Sequence, residues 1–188
     1  MDLYTAHYVY IVDGKEHHNI DAFNSDLDRL FGYPEFDPSN IAAFRDSFPY
    51  GIEMDLYWLN PDKTVAYCGK LADDILSEIK GCEGITLHLD SNDIPSEEYK
   101  TIRVHGSRIT DIGELEYLIN ELCDLPPLAS SAPEDVCNAL ISYQGVRCDI
   151  VVEDFEDMVS RFGGIVKEYA DAVKEASLTN RLTTIEIK

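Results

Sequence analysis

The sequence predicts an α/β protein built as a tandem duplication of a small domain, each copy holding a three-stranded parallel sheet packed by helices. Three observations predict it. One pattern occurs twice, about 92 residues apart: Gly14 returns as Gly106, Phe23 as Leu115, Leu27 as Ile119, Leu30 as Leu122, Pro34 as Pro126 and Phe48 as Leu140, and after a two-residue insertion Gly51 returns as Gly145. Both halves close with a charged helical run and a short β-rich segment, Ile85–Leu89 and Thr183–Ile187. Within each half, runs of strand character alternate with segments of helical spacing, the order that yields parallel strands joined by crossovers. Solenoid units run to about 20–50 residues, so a period near 90 means two copies of one domain. The expected domains are residues 1–92 and 93–188, joined through the polar segment Asp90–Ser96.

The elements of the first copy follow in order. Tyr8–Val12 is a β-branched and aromatic run stopped by Asp13-Gly14, a strand ending in a turn. Asp21 is placed to cap a helix with Phe23, Leu27, Leu30 and Phe31 on one face, ended by Gly32 and Pro34. The loop Glu35–Ser39 leads to a shorter helix, Asn40 to Phe48, with Ile41, Phe44 and Phe48 inward. Met54–Leu59 is a near-continuous apolar run, as in a strand covered on both faces. Leu71, Ile75, Leu76 and Ile79 line a further helix that feeds the strand Ile85–Leu89.

The second copy repeats this order with a strand at Ile102–Val104, helices at Asp111–Cys123 and Pro133–Ser142, and a strand at Cys148–Val152. It is expected to add one short helix of its own, carrying Phe155, Met158, Val159 and Phe162. Gly163-Gly164 and a long helix from Ile165 to Ala176 then precede the closing strand.

Charge is the outlier of the composition: 36 acidic against 15 basic residues give a formal net charge of −21. Residues 1–94 carry 18 acidic and 6 basic side chains and residues 95–188 carry 18 and 9, so both copies are acidic. Such a surface repels nucleic acid and anionic membrane, and it favours encounter with basic partners. The five cysteines, Cys68, Cys82, Cys123, Cys137 and Cys148, form no CxxC pair, which points to free thiols in a reducing compartment. With no signal-peptide pattern at Met1-Asp2-Leu3-Tyr4 and no long apolar stretch, a cytoplasmic location is expected. A monomer is the expected state.

Enzyme chemistry finds no support in the motifs. His17 and His18 adjoin on a turn, where side chains diverge, and His7, His88 and His105 lie in or beside strands without a nucleophile nearby. Gly81-Cys82-Glu83-Gly84 and Gly163-Gly164 lack the lysine and spacing of a phosphate loop. The acidic pairs Asp73-Asp74, Glu153-Asp154 and Glu156-Asp157 suit helix starts, where they complement the dipole. Neither a catalytic set, a metal site nor a cofactor is expected.

The stretch Pro34-Glu35-Phe36-Asp37-Pro38-Ser39-Asn40-Ile41-Ala42-Ala43-Phe44-Arg45-Asp46-Ser47-Phe48 resembles the barstar-like ribonuclease inhibitors. Leu56-Tyr57-Trp58 is similar to that family's central strand with its tryptophan, Cys82–Leu87 to its final strand, and Ile11–Lys15 to its opening strand and turn. The resemblance implies that each copy is such a domain, in which the second helix and the loop before it plug the active site of a small basic ribonuclease. It places Asp46 at the central acidic anchor, with Glu35, Phe36, Asp37, Asn40 and Ala42 around it, and puts Glu78, or Ser77 one residue back, at a further acidic contact.

Three departures bear on the target: Ala42 stands for an aspartate, Arg45 for an aromatic residue and Pro38 for the loop glycine. In the second copy Asn138 takes the anchor position and Leu128 that of Phe36, while Glu134 and Asp135 supply acid nearby and Glu175 matches the last-helix contact.

Two functions remain. One is an immunity protein that blocks a basic nuclease-type toxin, its carboxylates occupying sites built for phosphate. The other is a non-inhibitory acidic scaffold or adaptor.

Overall fold

The computed structural model describes residues 3–31, 52–122 and 132–188. The chain divides into two compact units, His7–Glu98, and Tyr99–Lys188 together with the strand residues before His7. The first contains β1 (Tyr4–Asp13) from His7 onward, α1 (Ile20–Phe31), β2 (Ile52–Leu59), α2 (Pro61–Cys68), α3 (Lys70–Gly81) and β3 (Ile85–Leu89). The second contains β4 (Tyr99–His105), a 3₁₀ turn (Gly106–Arg108), α4 (Ile112–Leu122), α5 (Pro133–Ser142), β5 (Arg147–Glu153), α6 (Phe155–Phe162), α7 (Gly164–Thr179) and β6 (Thr183–Ile187). The fold class is α/β. Within the units the strands follow the hydrogen-bonded orders β3-β2-β1 and β4-β5-β6. The ladders β2·β3, β4·β5 and β5·β6 are parallel.

Strand alternation sets the faces. On β2, Met54, Leu56 and Trp58 are buried in the core while Glu53, Asp55 and Tyr57 take the opposite face. Pairing of Leu56 with Leu87 and of Ile150 with Ile185 fixes the equivalent registers in the two units. The α1 helix buries Phe23, Leu27, Leu30 and Phe31, the face that the sequence predicts. Its cap is Asn19, whose Oδ1 accepts the Ala22 N–H at 2.9 Å, and Asp21 lies in the first turn instead. In the second unit Asp111 Oδ1 accepts the Glu114 N–H at 2.9 Å from the same position relative to its helix.

The short helix expected in the second copy alone is present in both, as α2 and α6. Only Thr64 is buried on α2, so no apolar stripe announces it; Pro61 at its first position is the signal available in the sequence. The predicted second helix of the first copy, the loop before it and the segment around Leu128 lie outside the described residues.

The units repeat a backbone arrangement in detail. Asn60 and Asp154, at the ends of β2 and β5, both adopt the left-handed conformation, with φ of 51° and 56°. Nine residues later Gly69 and Gly163 have φ of 72° and 74°, turning α2 into α3 and α6 into α7. At the end of each first strand a glycine touches the chain that follows the middle strand. A Cβ on Gly14 would strike the Asn60 carbonyl oxygen and Thr64 Oγ1, and one on Gly106 the Glu153 carbonyl oxygen and Met158. The turn after each glycine is closed alike, by His17 N–H to Gly14 O and Ile109 N–H to Gly106 O, both 3.3 Å.

Gly14→Ala and Gly106→Ala are expected to lower unfolding stability by about 1–3 kcal/mol each, because backbone stands where the methyl would go. Gly81→Ala, with open space around it, is expected to be neutral or stabilising. Urea unfolding of the three variants measures the difference.

Candidate functional site

Of the residues that the sequence singles out, Glu35, Phe36, Asp37, Asn40, Ala42 and Asp46 lie outside the described residues. The remainder fall on three helices. Glu78 is half-buried on α3, one residue before the buried Ile79. Glu134, Asp135 and Asn138 lie on α5 and Glu175 on α7. Counted from Gly69 and Gly163, Glu78 corresponds to the buried Ala172; counted back from β3 and β6, Glu175 corresponds to Ser77. The two carboxylates therefore hold different places, because α7 has 16 residues and α3 has 12.

The α5 and α7 helices pack together in the second unit and bring the secondary candidates onto one surface. Inward, Val136, Cys137 and Leu140 of α5 meet the core with Val166, Ala170 and Val173 of α7. Asn180 joins their C-terminal ends: its Nδ2 donates to Leu140 O and Tyr143 O, each at 2.8 Å. Outward, Glu134 and Asn138 stand exposed one turn apart on α5. On α7, Glu168, Asp171 and Glu175 form an exposed acidic stripe at i, i+3 and i+7. Exposed Ile141 and Leu178 continue the two stripes toward the joined ends.

Electrostatics binds these acids into one field. The Cys137 thiol is pushed up by burial and then by the negative charges of Glu175 and Glu134, so both carboxylates reach the same group from different helices. Tyr169 is raised in the same way, by burial first and then by Glu116 of α4 and Glu168 of α7. Burial pushes Cys148 up to about 11, which keeps it an inert thiol. Carboxylates fixed on helices with apolar side chains beside them suit a partner that is basic and presents apolar surface.

In the first unit the chemistry-bearing residues are turned inward. His17 is 1% exposed, and Phe23 and Trp58 pack edge-on or tilted around it. Trp58 Nε1–H donates to Thr64 Oγ1 at 3.1 Å, and Thr64 and His17 Nδ1 are 2.9 Å apart. Since indole N–H only donates, Thr64 is free to pass its own proton toward His17 Nδ1, leaving Nε2–H to donate to Asp26 Oδ2 at 2.9 Å. Asp26 in turn pairs with Arg29, which holds both oxygens of Glu98, and Glu98 also accepts the Ile11 N–H at 2.8 Å. Burial works to raise the Asp26 carboxyl, but the His17 hydrogen bond and the charge and hydrogen bond of Arg29 outweigh it and hold it below the ordinary value. His17 is thus a structural residue of a buried network.

The side of each strand set turned away from this core carries polar contacts that the sequence reading missed. Asp55 of β2 takes His7 Nε2 of β1 at 2.9 Å and His88 Nε2 of β3 at 2.8 Å, and Tyr57 stacks on His88 at 4.3 Å. At the matching position of β5, Asp149 takes Arg147 Nε at 3.1 Å and Thr184 Oγ1 at 2.6 Å. Glu153 pairs with Arg103 and His105. Strict alternation along β2 and β5 was the available signal, since it turns Asp55 and Asp149 away from the core. Among the described residues no group of three His, Cys, Asp or Glu is arranged to hold a metal. Nor does any helix there have the length and apolarity to cross a membrane. The four described cysteines are free thiols.

Replacing Glu134 and Glu175 together by Gln is expected to lower the thiol pKa of Cys137, because two charges opposing the thiolate are removed; titration of thiol reactivity against pH reads the shift. Asp26 has the opposite linkage. Its folded pKa is depressed, so its contribution is present above the unfolded value of about 3.9 and lost as pH falls through the folded one. The stability gap between wild type and Asp26→Ala is expected to be about 1–3 kcal/mol near neutrality, since His17 Nε2 loses its partner, and to shrink as pH falls below about 4. Urea unfolding at a series of pH values measures it.

Comparison of the chain with protein-family models and with curated proteins finds no match, so the site is read from its own residues.

Proposed function

We propose that the protein is an inhibitor that binds and blocks a basic nuclease-type toxin, an immunity protein built from two barstar-like domains in tandem. The observation that carries this reading is the acidic surface of α5 and α7, where Glu134, Glu168, Asp171 and Glu175 are presented from packed helices in a chain of net charge −21. A nuclease cleft is basic because it holds phosphate, and carboxylates on a rigid scaffold compete for those positions without reorganising on binding. The matching geometry of Asn60 and Asp154, of Gly69 and Gly163, and of Gly14 and Gly106 supports descent of both units from one domain. In this reading Asp46 is the anchor of the first unit, ringed by Glu35, Phe36, Asp37, Asn40 and Glu78. The second unit contributes Glu134 and Asp135, with the neutral Asn138 at the corresponding position. The partner is a basic protein; nucleic acid and membrane are repelled, and the location is cytoplasmic.

The test is protection of cells that carry a basic nuclease toxin encoded beside this gene. Wild type is expected to protect and Asp46→Ala to lose protection. Equal protection by both, with loss in Glu134→Ala/Asp135→Ala, would move the anchor to the second unit. Absence of protection and of binding by wild type would leave the scaffold reading. Association of the purified pair is expected to slow steeply as salt rises, because exposed charges are screened beyond roughly 10 Å at 0.1 M.

A further inference from the structure

Between the sheet and helices α4–α7 the second unit has a half-open pocket of about 70 Å³ reaching into its core, with an almost wholly apolar wall. Its origin is legible by comparing equivalent positions. Trp58 and Val152 both precede the left-handed residue by two, and they pair with Leu89 and Ile187 of the neighbouring strands. Phe23 and Leu115 both follow the helix-capping residue by four, and Leu76 and Ala170 both follow the left-handed glycine by seven. At each of these places the second unit has the smaller side chain, and Val152, Leu115 and Ala170 all line the cavity. Two exchanges run the other way, Ile75 to Tyr169 and Thr64 to Met158, but they leave the space open. The polar network of the first unit has also gone: Ile109 stands where His17 does, so the surroundings offer nothing like the His17–Thr64–Trp58 hydrogen bonds.

We propose that this cavity is a binding site for a small, uncharged, apolar molecule, up to about a single aromatic ring. Water is a poor occupant, since it needs 2–4 polar partners and the wall supplies almost none. Unfilled space against an apolar wall costs stability because the lining atoms lose their contacts on one side. An apolar guest restores those contacts without adding a buried polar group that would need a partner. A charged or hydrogen-bonding ligand is excluded by the same wall.

The experiment uses the full chain with isotope-labelled methyl groups, titrated with benzene and, separately, equilibrated with xenon. Saturating shifts are expected at Val152, Leu115, Met158 and Ile185, with Leu56 and Ile75 of the first unit unchanged. At about ten times Kd the second unit should also melt a few degrees higher. Ala170→Leu and Val152→Phe restore bulk at two walls; each is expected to weaken benzene binding at least tenfold while keeping or raising Tm. Shifts that do not saturate, equal shifts in both units, or an Ala170→Leu variant that binds benzene as wild type does would overturn the proposal. The wild-type titration decides the matter even if a variant fails to fold.

Discussion

The close approach of a glycine to the chain leaving the middle strand is the constraint on which both units depend. Gly14 and Gly106 let the end of the first strand lie against the Asn60 and Glu153 carbonyls, and no other residue type fits there without displacing backbone. From that contact the left-handed Asn60 and Asp154 redirect the chain into a short helix, and Gly69 and Gly163 redirect it again into the long one. The polar links at the first unit's strand ends reinforce the arrangement: Asn60 Nδ2 donates to Asp13 Oδ1 at 2.8 Å, and Asn60 N–H to Asp90 Oδ1 at 2.7 Å. A sheet and its helices packed at crystal-like density tolerate no slippage at such a point.

Around this shared frame the two cores are filled in different ways. The first buries an indole, an imidazole and a threonine hydroxyl, each satisfied by its neighbour and coupled to a carboxylate and a guanidinium nearer the surface. Such a network defines one arrangement of side chains, because any other leaves a polar atom unpaired at about 1–3 kcal/mol. The second core is apolar at the equivalent positions, and an apolar pocket opens into it. Arg161 satisfies carbonyls of its 3₁₀ region at Ile109 and Gly106 from α6. Thr64, Trp58 and His17 thus give specificity to one unit, while Val152, Leu115 and Ala170 leave room in the other.

Charge acts on a different level from packing. An acidic surface with a net charge of −21 repels itself, so it opposes the compact state and is retained against that cost. The α5–α7 surface shows one local consequence, since Glu134 and Glu175 lie near enough to disfavour the same thiolate. On the strand faces turned away from the core the carboxylates Asp55, Asp149 and Glu153 instead lie within hydrogen-bond distance of His7, His88, Arg147, Arg103 and His105.

Local pattern determined much of this protein. The 92-residue echo, the strands Ile85–Leu89 and Thr183–Ile187, the helix Pro133–Ser142 and the buried face Phe23, Leu27, Leu30 and Phe31 follow from periodicity and turn residues, which act over one or two turns of chain. What sequence alone could not supply rests on contacts between residues far apart in the chain. Helix α2 has no apolar stripe, so its existence depends on Thr64 meeting Trp58 and His17. His17 reads as an exposed turn residue until the fold brings Asp26 and Thr64 to its two nitrogens. Asp55 gains meaning only when β1 and β3 set a histidine on either side of it. The cavity is the furthest from sequence, because no single residue makes it: Val152, Leu115 and Ala170 are each ordinary core choices, and only their convergence on one volume leaves a space unfilled.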